Sequence, residues 1–159
     1  MERIVIFGNS GAGKSTLAKK YSAIYNLSHL DLDTLAWEKT TPPVRKALEI
    51  SIIEIKKFLE SNPRWVIEGC YSDLLGIVIK EASKLIFLNP GTETCINNCK
   101  KRPWEPHKYH SLEEQNNNLE MLLDWVKDYT NRNDEFSFEA HSKIYEEFPG
   151  KKEQYKSNQ

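Results

Sequence analysis

Gly8, Asn9, Ser10, Gly11, Ala12, Gly13, Lys14 and Ser15 follow one another in the spacing G-x-x-x-x-G-K-[ST], with Thr16 directly behind. Average residue frequencies give a chance match in a chain this long a probability of roughly half a per cent. The residue types suit a chain of phosphates. Glycines let the backbone turn tightly so that successive N–H groups point inward, and a following helix adds its positive N-terminal end. Lys14 supplies a point charge for the β and γ phosphates, the Ser15 hydroxyl can ligate Mg²⁺, and Thr16 can bond an α-phosphate oxygen. Gly8 to Thr16 is therefore expected to hold a nucleoside triphosphate, read as ATP, together with Mg²⁺.

Phosphoryl transfer also needs a carboxylate in the Mg²⁺ shell and, where a hydroxyl is the acceptor, a group to take its proton. Open α/β sheets place their ligand cleft at the carboxyl ends of the strands. Three acids are expected there: Asp31 and Asp33 at the end of "SHLDLD", and Glu68 at the end of "RWVIEG". Nearby, Trp37 and Tyr71 can stack on a base or pack into the core.

The elements that must carry these residues alternate strand and helix, which implies a largely parallel sheet with helices on its faces. "RIVIF" is a β-branched strand feeding the glycine-rich loop, and Lys14 to about Tyr25 reads as a helix with Leu17, Ala18, Tyr21 and Ile24 on one stripe. Ser28 to Asp33 alternates polar and apolar, which suits an edge strand and sets His29, Asp31 and Asp33 on one side. Thr41, Pro42 and Pro43 are expected to open a helix carrying Val44, Leu48, Ile52, Ile55 and Leu59, ending near "SNP". Trp65 to Gly69 is a third strand, Tyr71 to Ala82 a short helix, and Lys84 to Asn89 a fourth, central strand.

Pro90 and Gly91 precede a helix to about Lys101, and "KRPWEPHKYH" reads as a loop. Ser111 and Glu114 then form a capping-box pair ahead of a helix with an apolar stripe at Leu119, Leu122, Leu123, Val126 and Tyr129. A last helix is expected over about Phe136 to Phe148, with "KKEQYK" as a weak final strand.

The 159 residues fit one domain, 1–159, and a chain of that size buries about 70% of its unfolded surface. With 22 basic and 23 acidic residues the net charge is −1, so bulk electrostatics give no reason to expect a nucleic-acid or membrane partner. No basic leader followed by an apolar run opens the chain, and no apolar stretch approaches the ~20 residues that span a bilayer; a cytoplasmic protein is expected. Cys70, Cys95 and Cys99 are an odd number and read as reduced thiols. Cys95 and Cys99 with His107 and His110 make a poor zinc pattern, because seven residues separate the pairs where zinc fingers have roughly 12.

"IVIFGNSGAGKSTLAKK", "HLDLDTLAW", "RWVIEGCYS" and "KLIFLN" resemble, in order and spacing, a group of small bacterial proteins related to adenylate kinase, often labelled DNA topology modulation proteins or shikimate kinase-like proteins. The resemblance covers about Met1 to Lys101 well and the remainder loosely. It implies the P-loop nucleoside-monophosphate-kinase fold, a three-layer α/β sandwich with a five-stranded parallel sheet in the order 2-3-1-4-5 and a helical lid at about 101–133. By resemblance, Asp31 and Asp33 serve magnesium and the acceptor hydroxyl, and Gly69 and Tyr71 lie beside the acceptor. Glu68 and Cys70 stand where relatives have Asp and Asn, and Asn97 and Asn98 where relatives tend to place an arginine.

Relatives also close an arginine-bearing lid over the transferring group, which stabilises its charge and excludes water. Arg102, Lys108 and Arg132 are candidates for that role. The assignment is Lys14, Asp31, Asp33, Arg102 and Arg132 as catalytic groups, Ser15 and Asp31 at the metal, and Asp33, Trp37, Glu68, Gly69 and Tyr71 at the acceptor. The expected activity is Mg²⁺-dependent transfer of the γ-phosphate of ATP to a nucleotide, nucleoside or small hydroxylated metabolite, by a monomer or homodimer. The alternative is a nucleotide-binding switch or regulatory NTPase affecting DNA topology; a short, near-neutral chain without a basic tail favours the former.

Overall fold

Apolar runs buried on both faces belong in the middle of a parallel sheet, and three such runs take those places. The computed structural model describes residues 1–40 and 42–159. Strands β1 (Arg3–Gly8), β3 (Trp65–Gly69) and β4 (Lys84–Leu88) lie centrally, with β2 (Ser28–Asp31) and β5 (Lys151–Tyr155) at the edges. Every pairing is parallel and the order is β2-β3-β1-β4-β5. β2 is half-buried along its length while β3 is buried along its own, as the polar alternation of "SHLD" requires.

The period of two divides each strand between two layers. Ile4, Ile6, Val66, Ile86 and Leu88 face α1 (Lys14–Tyr25), α5 (Thr92–Lys101) and α6 (Leu112–Lys127). Val5, Phe7, Ile67, Leu85 and Phe87 face the layer of α2 (Asp33–Ala36), α3 (Leu48–Ser61), α4 (Ser72–Val78) and α7 (Phe138–Glu147). Each fully buried aliphatic or phenyl side chain contributes roughly 1.5–3 kcal/mol relative to exposure, so the two apolar layers hold the helices against the sheet. Among the described residues, no helix is long and apolar enough to cross a membrane.

Four expectations need correcting. β2 stops at Asp31, because the Asp31 side chain turns back to accept the Asp33 N–H at 2.9 Å and starts α2. α3 begins at Leu48: Glu38 N donates to Val44 O and Lys46 N to Ala36 O, so residues 44–46 pair back on residues 36–38 in extended form. Thr41, expected among the residues opening that helix, lies outside the described residues. Ile24 is 61% exposed and leaves the α1 stripe, whose buried members are Leu17 and Ala18. α7 starts at Phe138, because Ser137 accepts from Ala140 N and caps it there.

Candidate active site

The chain leaves β1 at Gly8 and enters α1 at Lys14, and the intervening loop is pressed from one side. Gly11 and Gly13 hold φ of 81° and 95°, a region that a Cβ disfavours. A Cβ on Gly11 would overlap the Cys95 carbonyl oxygen and stand 2.6 Å from Cys99 Sγ, whereas one on Gly13 meets nothing within 4 Å. Asn98, where relatives tend to carry arginine, donates from Nδ2 to Gly11 O at 2.8 Å. Lys14 Nζ donates to Asn9 O at 2.7 Å, and the buried Asn9 donates in turn to Val126 O at the end of α6. Ala12 is buried with the core, while Ser10 is half-buried and Thr16 exposed.

Glu68 ends β3 next to this loop, and its carboxylate is only 2% exposed. Both oxygens are engaged: Ser15 Oγ donates to Oε1 at 2.8 Å, and His29 Nε2 lies 2.8 Å from Oε2. Asp31, on β2, is the register partner of Glu68. Burial, then the negative charges of Asp33 and Glu68, push the Asp31 carboxyl up to about 6.

Asp33 begins α2 beside them and is held from two directions. Lys108 Nζ stands 2.6 Å from its Oδ2, and the Tyr71 hydroxyl donates to Oδ1. Burial works against the Asp33 charge, but Lys108 and the Tyr71 hydrogen bond more than reverse it, leaving the carboxyl below its usual range. Trp37 Nε1 donates to Tyr71 Oη at 2.8 Å, so Trp37, Tyr71, Asp33 and Lys108 form one chain of contacts. Lys108 also lies 3.2 Å from Glu105 and 3.9 Å from Asp31. Burial opposes its charge too, yet Asp33 and Asp31 hold the ammonium above its ordinary value.

The two arginines assigned to catalysis are engaged elsewhere. Arg102 pairs with Glu105 at 3.2 Å and touches Cys99 Sγ. Arg132 donates to the carbonyls of Trp125 and Phe136, lies over the Trp125 ring at 4.1 Å and is 3.5 Å from Asp134, a set of contacts that closes the end of α6. From the loop between α5 and α6, Lys108 reaches Asp33 and, with His107, comes within 3.9 Å of Asp31. Gly69 lies against Leu32, whose Cδ1 would be 2.9 Å from a Cβ there.

Four participants were not assigned from the sequence, one of them His107, whose Nε2 lies 3.9 Å from Asp31 and 3.8 Å from Glu105. His29 shares a strand face with Asp31, a placement legible from the period of two, but its partner lies 39 residues on. Glu105 joins Lys108 and Arg102 through the fold of the loop. Arg45 lies 4.8 Å from the Tyr71 ring and pairs with Asp73 and Glu135, bracing the aromatic wall behind Asp33.

The donor set fits a magnesium nucleotide. Open space above Gly13 and a first turn of α1 without a capping side chain can receive phosphate oxygens. Mg²⁺ is usually bound through one or two carboxylates together with substrate phosphates and water, and Ser15, Glu68 and Asp31 offer those ligands without an all-protein cage.

No family model and no curated protein matches this chain. The crystal structure of an uncharacterized protein from Eubacterium ventriosum is similar at a TM-score of 0.48 and 17% sequence identity, covering 96% of this chain and 87% of that chain.

Proposed function

We propose that the protein is a P-loop phosphotransferase of the nucleoside-monophosphate-kinase type, moving the γ-phosphate of ATP to the hydroxyl of a small acceptor. One observation carries the reading: Ser15 of the glycine-rich loop is 2.8 Å from Glu68, whose register partner on β2 is Asp31, so loop and carboxylates share one end of the sheet. On this reading the phosphate loop and the metal carboxylates are adjacent, and Asp33, whose N–H donates to Asp31, stands next to them.

Lys14 and the loop N–H groups would hold the phosphates, with Ser15, Glu68 and Asp31 about the Mg²⁺. When bound, the ion neutralises charge that develops on the transferring group. Asp33 would take the acceptor's proton: its carboxyl lies below its usual range, and its proton-donating neighbour Tyr71 is held neutral, chiefly by burial. Lys108 orients that carboxylate and brings the segment 102–111 down beside it. Trp37 and Tyr71 form the wall against which the acceptor would rest.

The test is ADP production from Mg-ATP with nucleoside monophosphates, nucleosides and small hydroxy compounds as acceptors, with Lys14→Ala as control. An acceptor-dependent rate that Lys14→Ala abolishes is expected. A rate that no acceptor raises, but duplex DNA does, would reject transfer in favour of a regulatory NTPase.

A further inference from the structure

Glu68 is buried, acidic and in contact with the loop, and a glutamate carboxylate can rotate about three side-chain bonds unless something holds it. An ionised carboxylate only accepts hydrogen bonds. The 2.8 Å contact to His29 Nε2 therefore has the imidazole N–H as donor to Oε2, while Ser15 Oγ donates to Oε1 at 2.8 Å. His29 lies on the edge strand, opposite Val66 in register, two residues before Asp31. It is 21% exposed in its side chain, and its ring has the Glu68 carboxylate as a partner from the rigid centre of the sheet.

We propose that His29 is a positioning residue of the nucleotide–metal site: by fixing one oxygen of Glu68, it keeps the other directed at Ser15 and the cation that Ser15 ligates. The inference rests on reading Gly8–Thr16 as that site. His29 touches neither nucleotide nor metal. Its contribution is the orientation of a ligand, and partners of this kind are worth about 10–100-fold in metal affinity where they have been removed. A histidine suits the place because its ring is short and stiff. The amide of glutamine sets an N–H donor at a similar reach, so the role depends on the donor rather than on charge.

The test uses the full chain with Mn²⁺ as probe, titrated by electron paramagnetic resonance in the presence of saturating ADP, alongside ADP binding measured in EDTA. His29→Leu is expected to weaken Mn²⁺ in the ternary complex about 10–100-fold while leaving metal-free ADP binding within about twofold. His29→Gln is expected to restore Mn²⁺ binding to within about threefold of the parent. Mn²⁺ affinity unchanged in a folded His29→Leu protein, or a His29→Gln protein as impaired as His29→Leu, overturns the proposal.

If His29→Leu does not fold, the comparison is made with His29→Gln and His29→Asn, the second having the donor but a shorter reach. Equal affinities in those two overturn it. In a Glu68→Gln background the His29 substitutions should have no further effect, and additive losses also count against the idea. A parent protein that binds Mn²⁺ normally while the variants match it removes only the role of His29. A parent that shows no ADP-dependent Mn²⁺ binding removes the nucleotide reading and this inference together.

Discussion

Lys108 reaches from the loop between α5 and α6 to Asp33 at the start of α2, Nζ to Oδ2 at 2.6 Å. That single ion pair joins the segment expected to cover the site to the carboxylate expected to take the acceptor's proton. A charge-assisted hydrogen bond of this kind contributes about 1.5–3 kcal/mol. In Lys108→Ala the amides of Lys108 and Tyr109, which donate to Glu105 O, should exchange with solvent about ten- to a hundredfold faster. The protection has a defined pH window. Asp33 lies below its usual value and Lys108 above, so their contact is lost as pH falls through the depressed carboxyl or rises through the elevated ammonium. Asp31, 3.9 Å from Lys108, loses its charge as pH falls through about 6, so exchange protection is flat from about pH 7 to 10 and starts to fall below that. Equal exchange in parent and variant would show that the loop is held by other contacts.

Gly11 and Gly13 separate stability from binding. Both have positive φ, but only Gly11 has α5 against its hydrogen. Gly11→Ala should lower the stability of the fold by more than the roughly 1–3 kcal/mol of backbone strain alone, since Cys95 O and Cys99 Sγ must also move. Gly13→Ala should cost the strain without the clash, and abolish nucleotide binding by filling the space above the loop. Denaturant melts and ADP titration of the two variants check this; similar melts for both would mean that α5 yields easily.

Much of this arrangement was legible in order along the chain. The glycine-rich loop, the polar edge strand and the Ser111–Glu114 cap are local patterns, and Ser111 does accept from Glu114 N. The cap's return bond lands one residue early, on His110 N. What local pattern could not show is who partners whom across the sheet. Ser15 and Glu68 are 53 residues apart, His29 and Glu68 are 39 apart, and each pair meets only because β3 lies between β2 and β1. Arg132 read as a free lid charge because nothing in "YTNRND" reveals that Trp125 offers both a ring and a carbonyl one helical end away. The start of α3 was misplaced for a related reason: prolines suit a first helical turn, yet the backbone of residues 44–46 was already committed to residues 36–38.

Asp31 trades stability for binding. Its carboxyl is raised to about 6, first by burial and then by Asp33 and Glu68. A group raised on folding contributes stability below its unfolded value of about 3.9 and loses it as pH rises through about 6. Asp31→Asn should therefore melt higher than the parent at pH 8, by on the order of 2 kcal/mol, and no higher at pH 4. The asparagine oxygen can still accept the Asp33 N–H. For the metal the sign is opposite: the carboxyl must be deprotonated to ligate, so Mn²⁺ affinity in the nucleotide complex should fall by up to about tenfold per pH unit below 6. Asp31→Asn should weaken the metal and remove that slope. A slope that survives the substitution places the titrating ligand elsewhere.

His141 on α7 reaches through the core to the turn that carries the site. It is fully buried, with Nε2 2.7 Å from Cys70 O and Nδ1 2.7 Å from the Tyr129 hydroxyl. The carbonyl can only accept, so Nε2 bears the proton and Nδ1 accepts from Tyr129; the neutral ring is satisfied on both sides. Burial, aided by the charges of Lys14 and Arg132, lowers the imidazole to about 4 despite the Cys70 hydrogen bond. As pH falls below about 6.5 the unfolded chain takes up the proton first, so stability declines progressively to about pH 4, by roughly 3 kcal/mol in total. Protonation falls on Nδ1, so it removes the hydrogen bond from the Tyr129 hydroxyl while Nε2 keeps donating to Cys70 O. His141→Gln should lose about 1–3 kcal/mol at pH 7 by leaving a partner unpaired and should also lose most of the decline between pH 6.5 and 4. Urea melts of parent and variant at pH 7, 5.5 and 4.5 decide the matter: parallel pH profiles would assign the acid sensitivity to other groups.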